Sequence, residues 1–184
     1  MGERDLRNAT ESDTLTAICF DKIGEHLAVG DKGGRVIIFK HQDLKNSRYF
    51  DYRYFSEFQS HEPEFDHLKS VELGEKINSL TFLPPNGANS LKLLSTNDRV
   101  IKLWKIGKKT HRETNSASIR NQQVLLPTSS IFSSGVEGKT KKQYKNCHNQ
   151  NINSISASPD CEHFLSSDDL TINMWNLENN CVAY

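Results

Sequence analysis

Three segments of the chain repeat one plan, and that repetition limits the fold more than any other feature. They are LTAICFDKIGEHLAVGDKGGRVIIFK (residues 15–40), INSLTFLPPNGANSLKLLSTNDRVIKLWK (77–105) and INSISASPDCEHFLSSDDLTINMWNL (152–177). Each opens on a short alternating strand, turns, runs an apolar strand, turns tightly, and ends on a β-branched strand that closes on an aromatic. The first turns, DKIGE, PPNGAN and SPDCE, concentrate the residues that tight turns need; the second turns are GDKGGR, STNDR and SSDDL. The closing aromatics Phe39, Trp104 and Trp175 lie 65 and then 71 residues apart. One such sheet cannot cover both of its faces, so the repetition implies sheets stacked on one another.

These units resemble the WD repeat, whose blades end in a turn Asp, a few alternating residues and a Trp. Asp98 to Trp104 and Asp169 to Trp175 each span six positions, as that motif expects, with Gly33 and Phe39 standing in those places in the first unit. The ordinary repeat is about 40–45 residues, so 41–76 and 106–151 read as insertions and 1–14 as an N-terminal segment. The expected architecture is all-β: a WD-repeat β-propeller with about three blades of an expected seven, an incomplete ring. The alternative is another antiparallel β fold in which Trp104 and Trp175 are ordinary core residues.

Composition narrows the chemistry. At 184 residues the chain can form one domain with a real core, and 23 basic against 23 acidic residues favour neither nucleic acid nor membrane as a partner. Cys19, Cys147, Cys161 and Cys181 form no C-x-x-C pair, so reduced thiols are expected and no metal site. No apolar run approaches the roughly 20 residues of a membrane helix, and MGERDLRNATESD carries no apolar signal core. A cytosolic chain is the expectation, with the nucleus as a second address. Nucleophile-elbow, zincin and phosphate-loop motifs are missing, and a strand rather than a helix follows the glycines of GDKGGR. No catalytic residue and no cofactor is therefore expected. Residues 107–145 carry eight basic and two acidic side chains, but no aromatics interleave with the lysines as base stacking would need.

The stretch FQSHEPEFDHLKSVELGEKIN (58–78) gathers Glu62, Glu64, Asp66, Glu72 and Glu75 with His61 and His67. No second cluster completes a catalytic or metal site, so it reads as an irregular connection between blades. Phe58, Phe65 and Leu68 are expected to pack on the sheet, with Pro63 fixing a bend.

Taken with GDKGGRVIIF, LLSTNDRVIKLWK and SSDDLTINMWNLE, this stretch resembles one WD-repeat family, the B-type 55 kDa regulatory subunit of protein phosphatase 2A, in its N-terminal blades. The family usually has Tyr at the place of His67 and Glu at that of Gly74, so this chain departs there. The resemblance implies a non-catalytic subunit that joins a scaffold (A) and a catalytic (C) subunit and recruits phosphoprotein substrates. By the same resemblance, Asp168, Asp169 and Leu170 match substrate-docking positions, with Lys32, Glu75 and Lys76 near that face. A carboxylate pair would attract a basic segment and the Leu would anchor it. Asp169 is read as the residue that its own turn also demands, and Asp168 and Leu170 as less constrained by the fold. Within the second insertion, QQVLLPTSSIF reads as two apolar runs around a turn, matching the family's scaffold-binding hairpin, with Val124, Leu125, Leu126, Ile131 and Phe132 as contacts. The bland alternative is a linker whose apolar residues fold back on a blade. A shortened relative that binds the scaffold or other proteins without supporting dephosphorylation is the other functional reading.

Overall fold

The structure is a computed structural model that describes residues 9–42, 51–66, 71–85, 91–114, 119–120, 123–124, 129–146 and 148–179, with side chains described outside 66–73 and 109–134. Among the described residues it contains strands and one 3-10 turn, Glu11–Asp13, and no helix long and apolar enough to cross a membrane.

The first sheet runs in sequence order: β1 (Leu15–Phe20), β2 (His26–Asp31), β3 (Arg35–Gln42) and β4 (Asp51–Gln59), each antiparallel to the next. A two-stranded piece, β5 (Glu64–Asp66) with β6 (Val71–Leu73), follows. The second sheet is β7 (Ser79–Phe82), β8 (Leu91–Thr96), β9 (Ile101–Thr114) and, past the small β10 (Ile119–Arg120) and β11 (Gln123–Val124) pair, β12 (Ser129–Tyr144). The third is β13 (Ser154–Ala157), β14 (His163–Ser167) and β15 (Ile172–Asn176). All three repeat units thus fold as three-stranded meanders. The fourth strands of the first two sheets come from segments that the sequence reads as insertions: DYRYFSEFQ is rich in aromatic strand formers, whereas VEGKTKKQY has few strand formers and pairs along the edge of β9.

Two apolar layers hold the sheets together. Ala28, Val36 and Ile38 of the first sheet meet Leu80, Phe82, Leu93, Trp104 and Ile106 of the second. The opposite face of the second sheet, with Leu94, Ile101 and Leu103, meets Ile155, Phe164 and Trp175 of the third. Alternation produces this: successive side chains of β8 point to opposite faces, so Leu93 serves one layer and Leu94 the next. Phe164 and Trp175 stack with their planes 4° apart, and Tyr144 meets both edge-on.

Phe58 packs as expected, its ring centroid 4.4 Å from that of Trp104. A Cβ on Gly138 would stand 2.6 Å from that ring, so only glycine lets β12 pass over it. Phe65 does not follow the expectation: it is half exposed, carried on the short β5 rather than against a main sheet. Leu68 and His67 lie outside the described residues. The connection is also less irregular than its pattern suggests, since Glu64–Asp66 and Val71–Leu73 pair.

The apolar run around Ile131 and Phe132 pairs differently from the sequence reading. Phe132 lies opposite His111 and Ile131 opposite Arg112, so the long hairpin joins β9 to β12 and not Val124–Leu126 to Ile131–Phe132. The physical reason is that KIGKKTHRET carries no proline or turn cluster, and β9 therefore runs on past Ile106, the last residue it pairs with β8. Val124 pairs with Ile119, and Leu125 and Leu126 lie outside the described residues.

Candidate functional site

The turns between second and third strands lie at one end of the stack, and two buried polar chains organise that end. In the second sheet, Trp104 donates its indole N–H to Ser95 Oγ at 3.0 Å, Ser95 Oγ lies 2.7 Å from Ser60 Oγ, and Ser60 Oγ lies 3.0 Å from His61 Nδ1. His61 Nε2 sits 3.1 Å from the Val100 carbonyl, which can only accept, so Nε2 carries the proton and Nδ1 accepts from Ser60. In the third sheet, Trp175 donates to Ser166 Oγ at 2.7 Å, Ser166 Oγ lies 2.6 Å from His148 Nε2, and His148 Nδ1 lies 2.9 Å from Asp168 Oδ2. The carboxylate accepts, so this histidine carries its proton on Nδ1.

Register explains why the first sheet has no such chain. Leu93 faces Trp104 and Phe164 faces Trp175 across the strands, and two residues on stand Ser95 and Ser166. Leu27 faces Phe39, and two residues on stands Val29, so neither indole nor hydroxyl is present to be satisfied.

The two histidines sit in different settings. Burial, with Lys102 nearby, pushes His61 down to about 3, against a smaller upward pull from the Val100 carbonyl. Lys102 donates its ammonium to the Ser60 carbonyl at 2.9 Å, and its own value is lowered mainly by burial. Asp168 is held well below the ordinary carboxylate range, first by His148 and then by the backbone N–H groups of Leu170 and Thr171.

This geometry reverses the expectation for the SSDDL turn. Asp168, not Asp169, is the residue its turn demands: its side chain is 2% exposed, and it accepts from Leu170 N at 2.8 Å, Thr171 N at 2.6 Å and Thr171 Oγ1 at 2.9 Å. Asn97 takes the same place in the second sheet, accepting from Val100 N at 2.8 Å, and Asp31 takes it in the first, accepting from Arg35 N at 2.8 Å. The structural turn residue therefore stands one position before Asp98 and Asp169, and in the first unit it is Asp31 rather than Gly33.

Asp169 is exposed and accepts from Asn153 Nδ2 at 2.6 Å; Leu170 is 82% exposed. Asp98 stands in the same relation to Asn78, at 2.8 Å. Both asparagines border an open polar pocket of about 270 Å³, lined also by Thr16, Lys76, Asp98 and Asn151. Lys76 is exposed on this rim, while Glu75 lies under the Gly34 turn, where a glycine Cβ would meet the Glu75 carbonyl at 2.9 Å. Lys32 is exposed on the neighbouring turn and pairs with Glu11. Lys32, Glu75, Lys76, Asp169 and Leu170 thus lie on turns and connections at one end of the sheets, with the Asp168 carboxylate held inside the turn that carries Asp169 and Leu170. Among the described residues no group of three or more His, Cys, Asp and Glu gathers as a metal site would need.

Sequence reasoning placed His61 only in an irregular connection between blades and gave His148 no role in the site. The signal that finds their partners is a serine nine positions before each closing tryptophan, Ser95 to Trp104 and Ser166 to Trp175.

Comparison with known proteins agrees with this architecture. A family model described as WD domain, G-beta repeat matches residues 138–176. The chain is 44% identical to the B regulatory subunit of protein phosphatase PP2A from Candida tropicalis, over 94% of this chain and 36% of that one. It is 43% identical to the beta isoform of the 55 kDa B regulatory subunit of serine/threonine-protein phosphatase 2A from Sus scrofa, over 95% and 42%. Identity to the serine/threonine-protein phosphatase 2A regulatory subunit sur-6 of Caenorhabditis elegans is 41%, over 96% and 39%. Among solved structures, the β-propeller domain of Myceliophteria_thermophila Cps50 (Swd1) superposes with a TM-score of 0.53 at 17% identity, over 94% of this chain and 43% of that one, a likeness of fold alone. The chain is thus homologous, along nearly its whole length, to the 55 kDa B-type regulatory subunits that its motifs resemble, and it spans 36–42% of the length of these three relatives.

Proposed function

We propose, with that homology as the premise, that the chain is a non-catalytic regulatory subunit of a cytosolic protein serine/threonine phosphatase 2A complex. The observation that carries the reading is identity of 41–44% over 94–96% of the chain to regulatory subunits from a yeast, a nematode and a mammal. In this reading the β9–β12 hairpin grips the scaffold subunit. Its reach beyond Ile106, where β8 stops pairing, supports a projecting contact element. The turn end of the blades receives substrates: Asp169 supplies an exposed carboxylate for a basic segment, and Leu170, 82% exposed, an apolar anchor. Asp168 acts beneath them as the residue that fixes the turn.

The test is co-purification of the 184-residue chain with the phosphatase scaffold subunit. Replacing Leu125, Leu126 and Phe132 with Ser is expected to abolish capture, and undiminished binding of that variant would remove the hairpin from the interface. A second reading, resting on the same homology, is that the chain occupies the scaffold without delivering substrates. Adding it to a complete holoenzyme distinguishes the two: competition would slow dephosphorylation of a phosphopeptide that depends on the regulatory subunit, whereas a working subunit would accelerate the free scaffold–catalytic pair.

A further inference from the structure

The β9–β12 hairpin is held against the first sheet up to one level and parts from it beyond. Val136 packs on the first apolar layer, its carbonyl accepts from Ser56 Oγ at 3.1 Å, and Gly138 lets β12 lie on the Phe58 ring. Ser56 is 2% exposed, so this bond between the first sheet and the hairpin is shielded from water. A bulge in β4 aims its hydroxyl: Ile38 faces Ser56 while Phe39 faces Tyr54, which leaves Phe55 as the extra residue. Phe55 and Ser56, consecutive in sequence, therefore both turn toward the second sheet instead of to opposite faces.

Immediately beyond Val136 the pairing of the hairpin breaks. Val136 faces Lys108 and Ser133 faces Thr110, so Ser134 and Gly135 together stand opposite Lys109. Such a two-against-one bulge bends its strand and increases the local twist. Gly135 has φ of +75°, in the left-handed region that a residue without a Cβ enters freely. Among the described residues, a Cβ at Gly135, or at Gly107 on the facing strand, would meet nothing within 4 Å, and of the two only Gly135 has a positive φ. The last pair with β8, Leu91 opposite Ile106, lies just before this level. The hairpin thus parts from β8, from the first sheet and from regular pairing at nearly the same height.

We infer that Gly135 is the pivot of the hairpin and Ser56 its anchor, and that these two residues set the direction in which the hairpin leaves the blades. Gly135 is a positioning residue: it acts through the strand segments it joins and not through a contact of its own. Its consequence for binding rests on the hairpin being the scaffold grip proposed above. An arm fixed at its base meets a rigid partner from the direction that the base imposes, and a preset direction lowers the cost of association. Any side chain with a Cβ at position 135 leaves the packing untouched but moves the backbone preference to negative φ. The hairpin of such a variant points elsewhere in the free chain and regains the original direction only at a cost.

Residual dipolar couplings of backbone amides in the 184-residue chain measure the orientation of 108–114 against that of β8. Gly135→Val should change the couplings of the hairpin while those of β8 and the third sheet stay as in the natural chain. It should also weaken capture of the scaffold subunit by at least about 10-fold, the factor to which the left-handed penalty of a non-glycine residue corresponds. Gly135→Asn, which tolerates that region, should keep both properties. So should Gly107→Val, which has equal space around it and no positive φ to lose. Ser56→Ala should scale the hairpin couplings down relative to those of β8, as a more widely swinging arm requires. Hairpin couplings unchanged in Gly135→Val would overturn the pivot, and couplings unchanged in Ser56→Ala would overturn the anchor. Changed couplings with undiminished capture would uphold the pivot and refute instead the hairpin as the scaffold grip.

Discussion

Acidification from about pH 6.5 to about pH 5 should destabilise the fold by about 2 kcal/mol through His61 alone. In the folded chain burial and Lys102 keep His61 neutral down to about 3. In the unfolded chain the imidazole takes its proton near the ordinary value of about 6.5. Between those two values the unfolded state binds more protons, so stability rises with pH across the window and falls on acidification from its upper edge. Each pH unit inside the window is worth about 1.4 kcal/mol, and the roughly 1.5 units considered give the 2 kcal/mol, roughly a 4–8 °C lower midpoint for a chain of this size. The assay is thermal or urea unfolding at a series of pH values for the natural chain and for His61→Gln, which can still donate to the Val100 carbonyl. The variant should lose the slope assigned to His61 while keeping the rest of the pH profile. In a parallel NMR titration the His61 ring resonances should stay flat from pH 7 to pH 5. Equal slopes in the two proteins, or a His61 that titrates near 6.5, would refute the reasoning.

Three further perturbations separate structural from docking roles. Gly34→Ala puts a Cβ 2.2 Å from the His61 carbonyl at a residue with φ of +80°. It should cost at least about 2 kcal/mol, read as a lower urea midpoint with an unchanged slope. Asp168→Ala should lower the melting temperature by removing the acceptor of His148, Leu170 N and Thr171 N. Asp169→Lys should leave melting nearly unchanged while weakening capture of a basic phosphopeptide, and the opposite pattern would return the structural role to Asp169.

The three meanders were legible because each carries its own punctuation. Turn clusters bracket alternating strands, and RVIIFK, VIKLWK and TINMWN keep period two to the closing aromatic. What escaped the sequence are facts fixed by distance in space. Ser60 and His61 lie 35 and 39 positions from Ser95 and Val100, so nothing local announces that a connection between blades completes the core of the second sheet. The irregular pattern of its neighbours instead made His61 look like part of a connection between blades and nothing more. In the candidate site, Asp168 and Asp169 are chemically identical in a linear reading. Only the turn decides which carboxylate points in, and the six-position spacing to the tryptophan selected the outward one. The β9–β12 pairing was hidden for a similar reason: apolar content marked Ile131 and Phe132 as strand, but their partner is the polar run at 111–112.

The Ser60–His61 contact has a consequence for how the molecule is made. A ribosome delivers His61 with the end of the first sheet, well before Ser95, Val100 and Trp104 exist. The first sheet therefore leaves the exit tunnel carrying one end of a hydrogen-bond chain whose remaining members are still to be translated. The second sheet, as it forms, meets a hydroxyl and an imidazole tethered beside it, and its tryptophan and serine find their partners without a search. Synthesis from the N-terminus thus runs in the direction in which each blade prepares the polar interior of its successor.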